Sequence, residues 1–410
     1  MTPAVLSDFC AAVEARDHDL VALRRDIHQH PELSHQELRT TALLADLCER
    51  EGIRHRRLPS TGLIADIGPQ DATYRVAIRA DIDALPVRER TGLDFASISP
   101  EVCHACGHDV HTSAVFGAAL GAAAVTPYLQ QANAAVRILF QPAEEAIPGG
   151  AEEIIANGGL SGVDTAFAVH CDPSLEVGQI GLREGALTAA CDRVKISLKG
   201  RGGHTSRPHL TEDLTFALAK VVTDVPMLLS RRVDPRAAAL IVWGQVHAGR
   251  TGNVIPSTGE CEGTLRILDA EVWSTLGPLL TEIVAEVTAP FGVQFELDHE
   301  PGVPPVVNSA AGIAALRSAT EFAGLAAVPT SQSMGGEDFA WYLHHVPGAM
   351  ARLGTRAPGG RTYDLHQGDL IVDEQAIGHG ARLLGAAALG AIARHREATP
   401  APAGARVPTA

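Results

Sequence analysis

The chain lacks a surplus of positive charge. Its 410 residues carry 33 Lys and Arg against 48 Asp and Glu, a formal net charge of −15. Proteins that grip nucleic acid or an anionic membrane usually present basic patches, so no nucleic acid and no membrane is expected as a partner. A small anionic substrate stays open, because one or two arginines can hold a carboxylate. The sequence also lacks a run of about 18 uncharged apolar residues, the length of a membrane span. Its first residues, MTPAVLSDFCAAVEARDHDL, have no basic segment leading into a long apolar one, and Asp8, Glu14, Arg16 and Asp17 come early, unlike a secretory signal. Cysteines are few, scattered and odd in number, 7. A disulfide framework is dense and even, so these read as free thiols in a reducing compartment, and a cytoplasmic location is expected. There is no repeat of solenoid length.

The composition is that of a globular enzyme, 46% hydrophobic and 20% charged, long enough for two or three domains and for a core without staples. Residues 4–25 and 36–51 read as amphipathic helices. Short apolar runs follow: LIADI at 63–67, RVAIRA at 75–80, AVRILF at 135–140 and TAFAVH at 165–170. A small-residue helix, TSAVFGAALGAAAV, and a helix near 149–157 separate them. Strands alternating with helices predict an α/β fold with a mostly parallel sheet. Near residue 190 the pattern changes. RVKISLKG at 193–200 alternates, then come a helix over about 211–232, strands at 238–246 and 259–268, a helix at 270–289 and a strand at 293–300. That order, β-α-β-β-α-β, is a ferredoxin-like unit inserted in the larger domain. A helix at 309–323, strand AMARLG at 349–354 and a helix at 373–394 complete the chain. The expected division is 1–190 with 301–396, an inserted 191–300, and a disordered Ala/Pro-rich tail at 397–410.

Ligands in open α/β sheets bind beyond the carboxyl ends of the strands, and here those ends are polar. RVAIRA runs into Asp81 and Asp83, AVRILFQP into Glu144 and Glu145, TAFAV into His170. The densest cluster is CHACGHDVHTS, residues 103–113. In an extended segment i and i+2 share a side, so Cys106 and His108 can reach one metal with Gly107 bending between them, and thiolate with imidazole suits zinc and its borderline-soft neighbours. Cys103 and Cys106 also form a CxxC; no second CxxC is present for a zinc ribbon, and the surroundings are not those of a redox motif. Glu144-Glu145 reads either as a solvated acidic loop or as a pair in which one carboxylate binds metal and the other takes a proton from water. GRGGHTSRPH at 200–209 carries His204 and His209 among glycines that permit close backbone approach. Asn253 opens NVIPS and Arg266 ends GTLR. An arginine on a strand usually faces solvent, but Arg, Asn and His together suit a substrate carboxylate and carbonyl.

RRDIHQHPELSHQE, RADIDALPV, HACGHDVHTS, QPAEEAIPGGAEEII, AVHCDP, GGHTSRPH, NVIPSTGECEGTLR and MGGEDF run in order from residue 24 to about 340. Together they resemble the aminoacylase and carboxypeptidase-like metallopeptidases, in particular the amidohydrolase subfamily of hippurate and indoleacetyl-amino-acid hydrolases. The resemblance implies a two-metal catalytic domain and a smaller lid that also mediates homodimerisation. It implies Cys106, His108, Glu145, His170 and His366 as ligands of two divalent ions: Zn²⁺ or Mn²⁺, with Co²⁺ or Ni²⁺ as further choices. It makes Glu144 the general base, Asp81 the carboxylate orienting a ligand, His204 the group polarising the scissile carbonyl, and Asn253, Arg266 and His209 the substrate holders. Two departures stand out. His366 is followed by Gln367-Gly368 where a small residue or histidine and a proline are usual, and His170 by Cys171-Asp172, with Cys171 read as a packing thiol. The implied activity is hydrolysis of N-acyl-L-amino acids. The alternatives are a dipeptidase or aminopeptidase, with Asp83 or Glu337 receiving a free amino terminus, and a metal-binding protein without catalysis, for which an unliganded Glu144 has no use.

Overall fold

The computed structural model describes residues 3–398, which form two compact units. Of the described residues, one unit contains 3–185, Asn308–Ser331 and 341–398; the other contains Ala186–Val307 with Gln332–Ala340. The second unit is thus wider than the expected 191–300 and includes the whole MGGEDF segment, residues 334–339. Of the expected disordered tail, Glu397 and Ala398 end the last helix, and residues 399–410 lie outside the described residues.

The first unit is built on an eight-stranded sheet. Its central strands, Tyr74–Asp81, Ala134–Gln141, Thr165–Glu176 and Gly348–Arg356, are parallel to their neighbours within this group. Tyr74–Asp81 and Ala134–Gln141 are buried at nearly every position, as expected of strands covered on both faces, whose sequences are apolar runs rather than alternations. Antiparallel partners extend the sheet: Leu63–Ile67 and Arg54–Arg57 on one side, Gln179–Leu182 with its parallel neighbour Ala326–Pro329 on the other. Four of the seven pairings are parallel, so the expected α/β class and parallel core are what the structure has.

The expected single helix over 4–25 is two helices, Pro3–Glu14 and Asp17–Gln29. Arg16 leaves helical geometry (φ −114°, ψ 6°). Asp17 and Asp19 then sit in a new first turn, where carboxylates complement the helix dipole. The break lets Phe9 wedge between two other helices. A Cβ on Gly121 of helix His108–Ala124 would lie 2.4 Å from its ring, and one on Gly385 of helix Gln375–Ala398 only 1.8 Å away. These glycines are sockets for an aromatic side chain that is fully buried. Phe9→Ala should lower stability by about 3–5 kcal/mol, read as the fall in urea midpoint with an unchanged slope. A loss below about 1 kcal/mol would show that the socket collapses around the smaller side chain.

Helix Gln375–Ala398 is the one described helix long and apolar enough on its own to cross a membrane, and 83% of that stretch is buried inside the protein. Its apolar surface is used in the core.

The second unit contains a four-stranded antiparallel sheet, ordered Leu240–Ala248, Thr258–Ile267, Ala190–Lys199, Gln294–Val303. Helices Leu214–Arg232 and Ala270–Thr288 intervene in sequence. In chain order this is β-α-β-β-α-β with the first and third strands central, the ferredoxin-like arrangement. Strand Ala190–Lys199 alternates buried and half-buried residues, which is the one-sided pattern read from 193–200.

Candidate metal centre

The carboxyl ends of the parallel strands in the first unit hold the polar residues. Asp81 ends its strand; Cys106 precedes helix His108–Ala124; Glu144 and Glu145 lie in the loop after Ala134–Gln141; His170 sits within Thr165–Glu176. Ligand atoms of Cys106, His108 and His170 lie within 4.8 Å of one another, and so do those of Cys106, Glu145 and His366. Cys106 therefore belongs to both sets. His108, Glu144 and Glu145 form a third set at the same spacing.

Backbone geometry aims these groups. Gly107 caps the helix in the left-handed region, φ +87°, where an L side chain is strained. A Cβ there would also lie 2.8 Å from Cys171 Sγ. Glycine is thus required both by the bend between Cys106 and His108 and by the thiol beneath it. Cys171 donates its S–H to Gly107 O at 3.7 Å, which makes it a packing thiol. The acidic loop is pinned on both sides of Glu144. Ala143, at φ +50°, donates its N–H to Glu37 Oε1 at 2.8 Å, and Glu145 donates its N–H to Asp83 Oδ2 at 3.0 Å. His366 is itself left-handed, φ +61°, and its N–H is held by Ala105 O at 2.8 Å.

Hydrogen bonds decide which ring nitrogens can take a metal. His170 Nδ1 lies 2.8 Å from Cys171 O, so it carries the proton and Nε2 is left as a lone pair, 3.5 Å from Cys106 Sγ. His108 Nδ1 is held by Asp83, 3.0 Å from its carbonyl and 3.1 Å from Oδ1. His108 Nε2 is buried with no hydrogen-bond partner, 3.7 Å from Asp81 Oδ2, 3.9 Å from Glu144 Oε2 and 3.8 Å from Glu145 Oε1. A buried polar atom without a partner is costly, and a cation among these donors would remove that cost. His111 differs. Its Nδ1 faces Asp81 Oδ1 at 2.6 Å and its Nε2 accepts the Cys171 N–H at 2.8 Å. With both nitrogens used, it braces the site rather than ligating. His104, third histidine of the cluster, is fully buried and pushed down to about 4 by burial, so it stays neutral.

The resemblance implies that Asp81 orients a ligand. The structure gives that contact to Asp83, which binds His108 Nδ1, while Asp81 is held between His111 and Arg79, 2.6 Å from each. The two aspartates are i and i+2 past one strand, so pattern alone did not separate their jobs. Burial opposes the charge on Asp83, but the hydrogen bond and charge of His108, with the hydrogen bonds from the Glu145 N–H and Ser34, together hold the carboxyl below its ordinary range. Burial drives the Cys106 thiol well up against the pull of His108. Without a cation it is therefore protonated, and a metal would take it as thiolate. His366 Nε2 lies 3.2 Å from Glu145 Oε1, and that contact raises its pKa. Thiol, imidazoles and carboxylate at these spacings fit a divalent, borderline-soft cation.

Four expected site residues belong to the second unit. His204 pairs with Val254 in a two-stranded ribbon, and Asn253 accepts the Thr205 N–H at 3.2 Å with its carbonyl, so His204 and Asn253 are neighbours. His204 Nδ1 accepts from Ser206 N at 3.1 Å, which leaves its proton on Nε2. Arg266 is on the four-stranded sheet and donates to Met334 O at 2.8 Å. His209 is exposed on the turn Pro208–Leu210.

The sequence profile described as peptidase family M20/M25/M40 matches residues 77–390. A Rhodococcus jostii protein provisionally named glutamate–cysteine ligase 2-3 is 48% identical over 378 residues, 91% of this chain but 47% of that one. The chain thus spans about half of that relative. The N-acetyl-L-cysteine deacetylase of Bacillus subtilis is 37% identical over 362 residues, 88% of this chain and 85% of the relative. Among solved structures, a dinuclear metal-binding M20 peptidase from Bacillus subtilis superposes with a TM-score of 0.80 at 34% identity, covering 93% of this chain and 99% of that one.

Proposed function

The chain belongs to peptidase family M20/M25/M40, and on that premise we propose that it is a metal-dependent amidohydrolase releasing free amino acids from N-acyl-L-amino acids. One observation carries the reading: Cys106 is shared by two complete donor sets, and Glu144 stands beside them with its Oε2 3.9 Å from His108 Nε2. His108 and His170 with Cys106 would hold one divalent ion, and Glu145 and His366 with Cys106 the other. Bound there, the ions would supply Lewis acidity, polarising the acyl carbonyl and lowering the pKa of a water. Zinc or manganese is the proposed metal, with cobalt and nickel as further fits.

Glu144 accepts a proton from the attacking water as its oxygen bonds to the acyl carbon. It delivers that proton to the leaving nitrogen as the C–N bond breaks. The water's oxygen ends in the acid and its proton in the amine. His204, with its proton on Nε2, is suited to donate to the carbonyl oxygen as charge develops there. Asn253, Arg266 and His209 hold the amino acid's carboxylate, and the second unit serves as lid and homodimer contact. Asp83 does not serve the dipeptidase alternative, which leaves that role to Glu337. Asp83 is 1% exposed and committed to His108, Ser34 and the Glu145 N–H, so it is not available to a free amino terminus. Seven unbridged cysteines support a reducing, cytoplasmic setting.

The test is release of amino acid from N-acetyl, N-benzoyl and longer N-acyl amino acids beside matched free dipeptides, with Mn²⁺ or Zn²⁺ restored after chelation. Metal-dependent release from the acylated set alone is expected. Release from dipeptides alone would move the enzyme to peptide cleavage.

A further inference from the structure

At the amino ends of the strands, far from the ligand residues, the sheet carries a cluster of arginines. Arg54, Asp66 and Arg137 form one cross-strand row, since Arg54 registers with Asp66 and Asp66 with Arg137. Arg56 lies two residues further along the edge strand Arg54–Arg57, and Arg75 is second in Tyr74–Asp81. These residues, with His55, Ile64 and Gln70, line a cavity of about 290 Å³. Arg75 lies six residues before Asp81 on one strand, about 20 Å at the usual rise, so this cavity is separate from the metal centre.

The charges do not balance. Four guanidiniums line the cavity against a single carboxylate, Asp66, in a chain whose formal net charge is −15. Arg137 takes that carboxylate with both arms of its fork, 2.8 Å from Oδ1 and 3.1 Å from Oδ2. Arg75, 7% exposed, is left with its Nε 3.6 Å from Asp66 Oδ1 and no hydrogen bond on that atom. Asp164 holds the Arg75 backbone N–H at 2.8 Å and is the other nearby acid. The remaining hydrogen bonds of the cluster go to uncharged carbonyls: Arg54 to Gly68, Arg56 to Asn157, Arg75 to Gln70 and Ser161, Arg137 to Gly158, Gly159 and Ser161. Carbonyl contacts satisfy donors but leave the repulsion between guanidiniums in place. Burial and the neighbouring Arg137 lower the Arg75 pKa, only partly offset by Asp66 and Asp164. A multiply charged oxyanion is the ligand that planar, forked donors recognise best.

We propose that the cavity between Arg54, Arg56, Arg75 and Arg137 is a binding site for a small phosphate-class oxyanion, independent of the metal centre. Arg137 and Arg75 form its buried floor, and the exposed Arg54 and Arg56 close on the anion from the edge strand. Occupancy ties that edge strand to the loop at 157–161, which the same arginines already hold.

Pyrophosphate and orthophosphate are the probes, used on chelated and dialysed full-length protein so that the metal centre contributes nothing. Calorimetry and thermal unfolding are compared with sodium chloride at matched ionic strength. Pyrophosphate should bind with a stoichiometry of one per chain and raise Tm by several degrees, orthophosphate less. Arg54→Gln with Arg56→Gln should weaken binding by about ten-fold or more, with the anion-free Tm within a few degrees of the parent. Arg56→Gln alone should give a smaller loss and serves if the double variant folds poorly. No shift beyond that of chloride, or equal binding by the variants, would overturn the site.

Discussion

Cys106→Ala is expected to leave the purified protein with no bound divalent metal and to lower kcat/KM by about 10³-fold or more. Two donor sets share one sulfur. His108 and His170 make one donor set with it, and Glu145 and His366 the other. Removing any other ligand leaves one of these two sets whole; removing Cys106 reduces both to two donors and leaves only the group of His108, Glu144 and Glu145, which spends the proposed base on the metal. Metal-ion catalysis is worth several kcal/mol of transition-state stabilisation, and each 1.36 kcal/mol is ten-fold in rate. Elemental analysis after gel filtration is the direct measurement. A variant that keeps one ion per chain would assign Cys106 to a single set. His111→Asn, at a residue whose two nitrogens are both used internally, makes a useful contrast, because metal content should survive there in part.

The second large effect separates chemistry from metal binding. Glu144→Gln should reduce kcat by about 10²–10⁴-fold, the range of general acid–base contributions, with KM little changed and metal content equal to the parent. The loop should keep its shape, because its anchors are Glu37 on the Ala143 N–H and Asp83 on the Glu145 N–H, neither of which involves the substituted carboxylate. Loss of metal in this variant would make Glu144 a ligand. Unchanged kcat would move the base elsewhere.

Much of the arrangement could be read in advance, for a physical reason. Parallel strands covered on both faces are mainly apolar, and ligands gather beyond their carboxyl ends, so the polar residues Asp81, Glu144 and His170 on that side marked the functional edge. The inserted unit announced itself by its change from continuous to alternating hydrophobicity at strand Ala190–Lys199. What stayed hidden depended on side-chain direction. That Asp83 rather than Asp81 meets His108 Nδ1 follows from which oxygen faces which ring nitrogen. So does the exclusion of His111, which in sequence looks as good a ligand as His108. The break at Arg16 was also invisible to periodicity, since apolar residues on both sides continue one helical pattern. Despite the departure after His366, its left-handed backbone and its N–H bond to Ala105 accompany a ligand atom placed beside those of Cys106 and Glu145.

The pairing of strand Gly348–Arg356 with strand Thr165–Glu176 has a consequence for biogenesis. Their registered residues Arg352 and His170 are 182 positions apart, and at 5–20 residues per second the ribosome needs roughly 10–40 s to make that stretch. Through that interval the first half-sheet emerges with an open edge, the kind of surface that invites wrong partners, while the inserted unit is synthesised. His366 emerges later still. Cys106, His108 and His170 therefore leave the ribosome long before Glu145 has its histidine, and a prematurely ended chain would carry one of the two donor groups on an unfinished sheet.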